Sequence, residues 1–413
     1  MLDRSNRRKF IAKLGAGTAA MAVGVTFEPV QAWHLTDPEV DEGEHRFVVM
    51  PYIQAMLPTQ ATLMCMTSKK ALTWIEYGTN DLSEKAYSIQ DGLIDANNTL
   101  VRIRLKGLSP DTEYKYRLLS KEIVSFEPYK IVYGQQISSD TYTFRTPGTQ
   151  APSVRAVVLN DLHDRAGAYA NLLELVKGRP YDFMILNGDM FDYQTNEAQM
   201  IDHLLKPCGD LLGGQVPFIM SRGNHEPRGK FAREIKKYFD YPEDRYYQAF
   251  AQGPVFWIFL DTGEDKADDH PVYAGLVDFD NYRKEQAVWM EGVMQSEAYK
   301  KALYKVVVMH IPPFYTKKEA HGVLHNRILF TPLFEKYHVD LVISGHRHSA
   351  GIYPPAQLHS YHLIIGGGPQ KGTRTVIYVE ADKKKLSVDL IKDDGSETST
   401  VVIEADKRRS SLL

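Results

Sequence analysis

From about residue 46 to 147 the chain is built from short runs in which apolar and polar positions alternate. Ala61–Thr67, Ala71–Tyr77, Leu100–Leu105, Glu113–Leu119 and Thr141–Thr146 are rich in Thr, Tyr, Ile, Val and Leu, and polar or Gly-containing turns separate them. Such runs predict strands, because β-branched and aromatic side chains pack well on a pleated, half-buried surface. No helical period of useful length interrupts them, so a small β-sandwich is expected over residues 46–147. The segment Pro147-Gly148-Thr149-Gln150-Ala151-Pro152 then reads as a linker.

From residue 153 the pattern changes. Continuous apolar runs appear at Val154–Leu159, Phe183–Leu186, Val216–Met220, Val255–Leu260, Lys305–Met309 and Leu341–Ser344, with helical spacing between them at Ala168–Val176, Phe231–Tyr238, Arg283–Met294 and Ile328–Tyr337. Apolar strands separated by helices predict a sheet covered on both faces, with ligands bound beyond the strand ends. The tail from Tyr361 to Glu404 loses the helices and reads as strands joined by turns such as Asp393-Asp394-Gly395. Residues 153–405 are therefore expected to form a second, α/β domain.

Length and charge narrow the classes. A chain of 413 residues has room for two or three cores, and a formal net charge of -3 gives no general attraction to nucleic acid or an anionic membrane. Two cysteines, Cys65 and Cys208, fall in different expected domains, so no disulfide framework is present. Near the start, Arg7-Arg8 precede a mildly apolar stretch from Leu14 to Phe27, and Val30-Gln31-Ala32 offers small residues for cleavage. Residues 1–32 resemble a bacterial twin-arginine signal peptide. The resemblance implies passage through the twin-arginine export machinery to the periplasm or the outside of the cell.

The candidate chemistry sits just after the α/β strands. Asn160-Asp161-Leu162-His163 follows the first, and Asn187-Gly188-Asp189 the second, with Asp192 three residues on. Arg222-Gly223-Asn224-His225-Glu226 follows the third, His310 follows Met309, and Gly345-His346-Arg347-His348 follows Ser344. Side chains at i and i+2 of an extended backbone share a face, so His346 and His348 are expected to point at one place. Each block alone is a plausible cap or turn. Together they supply carboxylates, imidazoles and an amide, the donors of a mixed N/O metal site suited to Mn, Fe, Zn or Co.

The order and spacing of the five blocks resemble the calcineurin-like metallophosphoesterase superfamily. Upstream, Leu108-Ser109-Pro110-Asp111-Thr112-Glu113-Tyr114 resembles the tyrosine corner of fibronectin type III domains. A β-sandwich ahead of the catalytic part is similar to purple acid phosphatases. The implied architecture is a sandwich of two mixed sheets flanked by helices, preceded by a fibronectin III-like sandwich. The resemblance implies two transition-metal ions (Fe, Mn or Zn), one held by Asp161, His163, Asp189 and His348 and the other by Asp189, Asn224, His310 and His346. Asp189 would bridge them, and a hydroxide shared by both ions would attack a small phosphate ester. His225 would stabilise or protonate the departing oxygen, with Glu226 orienting it.

Two positions depart from the purple acid phosphatase pattern. This chain has His163 where that group has Gly, and Asp192 where it has a metal-binding Tyr, with Tyr193 one residue out of register. A tyrosinate–iron site is therefore not expected, and Asp192 reads as an acceptor behind the ligands. Phe314–Arg327, with Tyr315 and His321, reads either as a loop over the metals that binds phosphate oxygens or a leaving group, or equally as a solvated, charged loop. The acidic stretch Asp261–Asp280 is expected to be another loop near the site. Two other readings stay open: a nuclease or phosphodiesterase acting on nucleotides, though no basic run with interleaved aromatics is seen, and a non-catalytic extracellular binding protein with a structural metal site.

Overall fold

Period-two alternation dominates the computed structural model, which describes residues 43–395 and 398–405. The expected signal peptide at residues 1–32 lies outside the described residues. The first nine strands are β1 (Phe47–Leu57), β2 (Gln60–Gly78), β3 (Glu84–Ala86), β4 (Ile89–Gln90), β5 (Leu93–Ile94), β6 (Asn98–Lys106), β7 (Glu113–Glu127), β8 (Lys130–Ser138) and β9 (Tyr142–Arg145). Two runs read as separate strands, Ala61–Thr67 and Ala71–Tyr77, are one continuous β2. Its first half pairs with β1 and β6, and after an irregularity between Met66 and Ala71 its second half pairs with β3 and β7. Leu63, Cys65, Ile75, Ile103, Leu118 and Phe144 close between the two halves as one buried cluster. At the corner before β7 the Ser109 N–H donates to the Tyr114 hydroxyl at 2.9 Å.

The remaining strands are β10 (Ser153–Leu159), β11 (Phe183–Asn187), β12 (Phe218–Ser221), β13 (Gln248–Gln252), β14 (Val255–Leu260), β15 (Tyr304–Met309), β16 (Leu341–Ser344), β17 (Gly351–Tyr353), β18 (His362–Ile365), β19 (Thr375–Asp382), β20 (Lys385–Lys392) and β21 (Thr398–Glu404). They form two six-stranded mixed sheets, ordered β12-β11-β10-β19-β20-β21 and β13-β14-β15-β16-β18-β17. The strands carrying the five blocks run parallel within each sheet. Alternation decides which face each residue takes. Val306 and Val308 of β15 join Val158, Ile185, Trp257 and Ile343 between the sheets. Val307 and Met309 point outward to Phe330 and Phe334 of the helix His321–Lys336 and to Met290 of the helix Phe279–Met294.

On the outer face of the first sheet, Leu159, Met184 and Met220 pack on the helices Ala168–Glu174 and Lys206–Leu212, and also on Val49, Tyr52 and Met64 of β1 and β2. Polar contacts fasten the same junction. Tyr52 Oη donates to Tyr238 O at 2.9 Å, Gln54 Nε2 to Phe218 O at 2.8 Å, and Tyr116 Oη to Gly214 O at 2.6 Å. Asp240, almost fully buried, accepts from Thr62 Oγ1 at 2.5 Å and pairs with Arg104. Thus the short stretch at 147–152 joins parts that also share a core.

Several helix boundaries differ from those read in the pattern. Phe231–Tyr238 is turn over its first half and a short 3₁₀ helix, Ile235–Tyr238, over its second. The helical segment from Glu197 to Leu212 has no clean 3.6-residue period because a π turn at Ile201–Leu205 interrupts it and Pro207 and Gly209 follow. The last long helix starts at His321, seven residues before Ile328, so the second half of the expected Phe314–Arg327 loop is helical.

Candidate metal centre

The five blocks converge at one edge of the two sheets because each follows the C-terminal end of a parallel strand: β10, β11, β12, β15 and β16. Main-chain bonds lace them together. Asp161 N donates to Gly188 O, His163 N to Asp189 O, and Gly345 N to His310 O, at 3.0, 3.0 and 2.9 Å. Glycines permit this closeness: a Cβ on Gly223 would lie 2.5 Å from Asp189 N, and one on Gly345 would lie 2.4 Å from Asp161 Oδ2.

The donors themselves sit on unusual backbone. Asp161, His163, Asp164, Asp189, His346 and His348 all adopt left-handed conformations, with φ between 47° and 68°. For L residues this costs roughly 1–2 kcal/mol each, and such strain persists where the surroundings over-determine it. This also corrects the expected geometry of His346 and His348. They do not share the face of an extended strand; β16 ends at Ser344, and the two imidazoles are aimed from successive left-handed kinks.

Side-chain donor atoms form several groups, among them one of His163, Asp192 and His225 at the rim and two that share a carboxylate. The latter two form the centre. One atom each from Asp161, His163, Asp189 and His348 lie within 4.8 Å of one another, and so do atoms of Asp189, His310 and His346. Asp189 belongs to both. Asn224 joins the second, with Oδ1 2.8 Å from His346 Nδ1. In the first, His163 Nε2 is 3.0 Å from His348 Nε2, and His348 Nε2 is 3.2 Å from Asp161 Oδ1. In the second, His310 Nε2 is 3.0 Å from Asp189 Oδ2. All seven metal-ligand residues read from the blocks are therefore brought together.

These residues fit a pair of cations on chemical grounds. Asp161, Asp189 and Glu226 are three carboxylates at 0–1% exposure, an arrangement that needs compensating positive charge. Asp161 Oδ1 and His310 Nε2 are buried, and their polar neighbours, His348 Nε2 at 3.2 Å and Asp189 Oδ2 at 3.0 Å, do not meet them in hydrogen-bonding geometry. Burial opposes ionisation of Asp161, but the imidazoles of His310, His163 and His348 hold its carboxyl well below the usual range. For Asp189 burial is likewise outweighed by His310, which lowers it to about 2. His310 is raised to about 10 against its own burial, by the Asp189 and Asp161 carboxylates. His346 is lowered to about 4 by burial and by the charge of His310. A cation here would thus take the place of a proton on His310 and release it.

The supporting residues are placed partly as expected. Asp192 is an acceptor, its Oδ1 2.8 Å from His163 Nδ1, so it fixes the tautomer that turns Nε2 inward. Tyr193 is largely exposed, its ring 6.5 Å from that of His225. Glu226 does not orient His225. Its carboxylate accepts from the N–H groups of Asp189, Met190 and Gly223 at 2.9, 2.8 and 2.7 Å, so it shapes the loop that holds the shared ligand. Burial and the neighbouring Asp189 charge push its carboxyl up to about 7. His225 is oriented instead by the Asp192 carbonyl, 2.9 Å from Nδ1, and by Arg228 Nη1, 2.8 Å from Nε2.

Tyr315 and His321 do not join the donors. Tyr315 Oη lies 2.9 Å from His359 Nε2 and its ring stacks on Tyr353 at 3.8 Å. His321, on the first turn of its helix, bonds to Asp280 at 2.8 Å with His325 alongside. The acidic stretch is largely neutralised: Asp261 pairs with Arg222, Glu264 with Arg228, and Asp280 with Arg283. Reading the blocks missed several contributors. Asn160 Nδ2 bonds Asp161 Oδ2 at 2.6 Å and Gly367 O at 2.9 Å. Asp164 receives the Asp192 N–H at 2.7 Å. Gly366 packs against Asn160, Gly367 against Thr373 and Gly368 against His348 so closely that no Cβ fits. Three consecutive glycines after an apolar run were the visible signal.

Comparison with known proteins bears on the family and the fold. Residues 154–350 match the calcineurin-like phosphoesterase family model. The chain is 22% identical over 257 residues to purple acid phosphatase 21 of Arabidopsis thaliana, covering 61% of this chain and 53% of that protein. It is 28% identical over 261 residues to purple acid phosphatase 1 of Ipomoea batatas, covering 59% and 50%. The chain thus spans about half the length of the curated relatives it matches. Among solved structures, a purple acid phosphatase from yellow lupin (Lupinus luteus) seeds superposes with a TM-score of 0.66 at 15% identity, over 86% of this chain and 74% of that one. The structure of PhoD gives 0.60 at 12% identity, over 88% and 91%.

Proposed function

Because residues 154–350 form a calcineurin-like phosphoesterase domain, we propose that the protein is a binuclear-metal phosphoesterase that hydrolyses small phosphomonoesters or phosphodiesters. The observation that carries this is Asp189, one buried carboxylate common to two donor groups. Asp161, His163, Asp189 and His348 would hold one ion, and Asp189, Asn224, His310 and His346 the other. Such ions would supply Lewis-acid polarisation of the phosphoryl group and an acidified water. Asp192 stands where purple acid phosphatases carry a metal-binding Tyr, and Tyr193 beside it is largely exposed, which supports Fe, Mn or Zn bound without tyrosinate, in a site that is not purple.

The chain's own residues account for the remaining tasks. Glu226 and the glycines hold the ligand loops in place, so the donors need not reorganise on binding. His225 sits at the rim of the centre, its Nε2 3.9 Å from Asp189 Oδ2. With Nδ1 committed to the Asp192 carbonyl, Nε2 would take up and deliver a proton at the departing oxygen once Arg228 Nη1, 2.8 Å away, turns from it to the substrate. Arg7-Arg8 and the apolar stretch after them support export by the twin-arginine route.

Turnover of a generic aryl phosphate with added Mn or Zn, abolished by a chelator, is the expected result. Activity surviving in Asp189→Ala would overturn the mechanism. Stoichiometric metal binding without turnover of any mono- or diester would favour the non-catalytic binding protein instead. Export is tested by Arg7→Lys/Arg8→Lys in a bacterial host, which should leave the protein in the cytoplasm.

A further inference from the structure

Arg228 leaves the turn after β12 with its main chain tied at both ends: its N–H donates to His225 O at 3.1 Å, and its carbonyl accepts from Gln194 N at 2.7 Å. Two of its three guanidinium nitrogens are occupied by one partner. Nε and Nη2 grip the Glu264 carboxylate at 2.9 and 2.8 Å, and that carboxylate is 2% exposed. The third nitrogen, Nη1, lies 2.8 Å from His225 Nε2. This fixes the hydrogens on the ring. The Asp192 carbonyl only accepts, so Nδ1 carries the hydrogen of the neutral imidazole. A guanidinium only donates, so Nε2 is an acceptor. At rest, then, the imidazole offers no N–H to the centre, whereas Arg228 does.

The guanidinium is also open. About a quarter of the Arg228 side chain is exposed, and Nη1 carries a second hydrogen beyond the one directed at His225. Glu264 compensates the charge at rest and orients the fork without using Nη1. A planar cation held this way, at the rim of a phosphate site, matches the paired oxygens of an anion.

Resting on the phosphoesterase reading above, we propose that Arg228, clamped by Glu264, binds the non-bridging oxygens of the substrate's phosphate and selects phosphomonoesters over phosphodiesters. The physical reason is charge. Above the second phosphate pKa of ~6 a monoester carries two negative charges and three acceptor oxygens, whereas a diester carries one charge and two such oxygens. The free Nη1 hydrogen of a guanidinium whose own charge Glu264 and Asp265 offset therefore meets a more negative oxygen on the monoester. Glu264 is the positioning residue and does not touch substrate.

The test compares full-length wild type, Arg228→Ala, Arg228→Lys and Glu264→Gln at pH 8, with bound metal quantified and melting recorded. Substrates are an aryl phosphomonoester and the matching bis-aryl diester, with inorganic phosphate as inhibitor. Losing a charge-assisted contact predicts about a 10- to 100-fold fall in monoester kcat/KM for Arg228→Ala, mainly through KM, and an equal rise in the phosphate inhibition constant. Diester turnover should fall by only about 3- to 10-fold, because Coulomb energy is linear in charge and the diester carries one negative charge where the monoester carries two. Arg228→Lys should recover part of the loss, and Glu264→Gln should show a weaker form of the same shift. Equal losses on both esters with unchanged phosphate inhibition, or no loss at all, would overturn the proposal. If wild type turns over neither ester, the functional reading fails separately; calorimetric phosphate binding, equal in wild type and Arg228→Lys or Arg228→Ala, then overturns the Arg228 assignment by itself.

Discussion

Asp192→Ala removes the carboxylate that holds His163 in its metal-facing tautomer while leaving every donor atom of the two groups in the chain. The lost contact is 2.8 Å long and charge-assisted once His163 Nδ1–H donates to it. Hydrogen bonds to charged groups are worth about 1.5–3 kcal/mol net. The Asp192 side chain is 51% exposed, so solvent screening places the value near the low end, at roughly 1–2 kcal/mol. At 1.4 kcal/mol per decade this predicts metal affinity about 5- to 30-fold weaker, which overlaps the roughly 10- to 100-fold typical of residues that orient metal-binding histidines. Only the ion held by Asp161, His163, Asp189 and His348 should be affected. Titrating stripped protein with Zn or Mn against a competing chelator would resolve two classes of ion, with one weakened. Asp192→Asn, which keeps an acceptor but not the charge, should fall between wild type and Ala. Unchanged affinity in both variants would refute the reasoning. So would equal weakening of both ions, which would mean that the loop itself had collapsed. A loss beyond about a thousandfold in both variants would make Asp192 a ligand rather than an acceptor behind one.

Three further outcomes follow from single positions. A Cβ on Gly368 would lie 2.6 Å from His348 Cβ and 2.9 Å from its Cα, so Gly368→Ala should cost about 1–3 kcal/mol and lower the bound-metal stoichiometry; normal melting with full metal content would contradict this. Gly292, exposed in the helix Phe279–Met294, has nothing within 4 Å of the added Cβ, so Gly292→Ala should raise stability by roughly 0.5–1 kcal/mol without changing activity, and a lower melting temperature would count against it. Burial holds the His362 imidazole below its ordinary value, so the unfolded chain takes up a proton that the folded one resists, and stability falls as pH drops below about 6.5. His362→Gln should therefore lose less stability between pH 7 and pH 5 than wild type, and an identical acid profile would refute that.

Much of the centre was legible before any coordinates. A run such as Leu341–Ser344 followed at once by ligand-type residues marks a strand end, and parallel strands in register place their ends along one edge. Thus Asp161, His163, Asp189, Asn224, His310, His346 and His348 could be read as a set from five local signals. The helix starting at His321 was misplaced because its first turn, His321-Gly322-Val323, carries a glycine and no side-chain cap, so nothing local announces it. Glu226 was misassigned for a different reason. Its neighbour in sequence is His225, but its side chain turns to three N–H groups contributed by two loops.

What the residues indicated alone was therefore a set of candidate donors, the strands they follow and a change from all-β to α/β pattern near residue 153. These follow from alternation and from chemistry at single positions, which are local properties. Tertiary structure decided how the donors are aimed and what stands behind them. The left-handed φ of Asp161, Asp189, His346 and His348 is strain that only surrounding contacts sustain. The pairing of Arg228 with Glu264, 36 residues away, and of Asp192 with His163, 29 residues away, depends on where long-range packing leaves each loop. Side-chain partners at such separations are set by the register between sheets and loops, which no single stretch of sequence encodes.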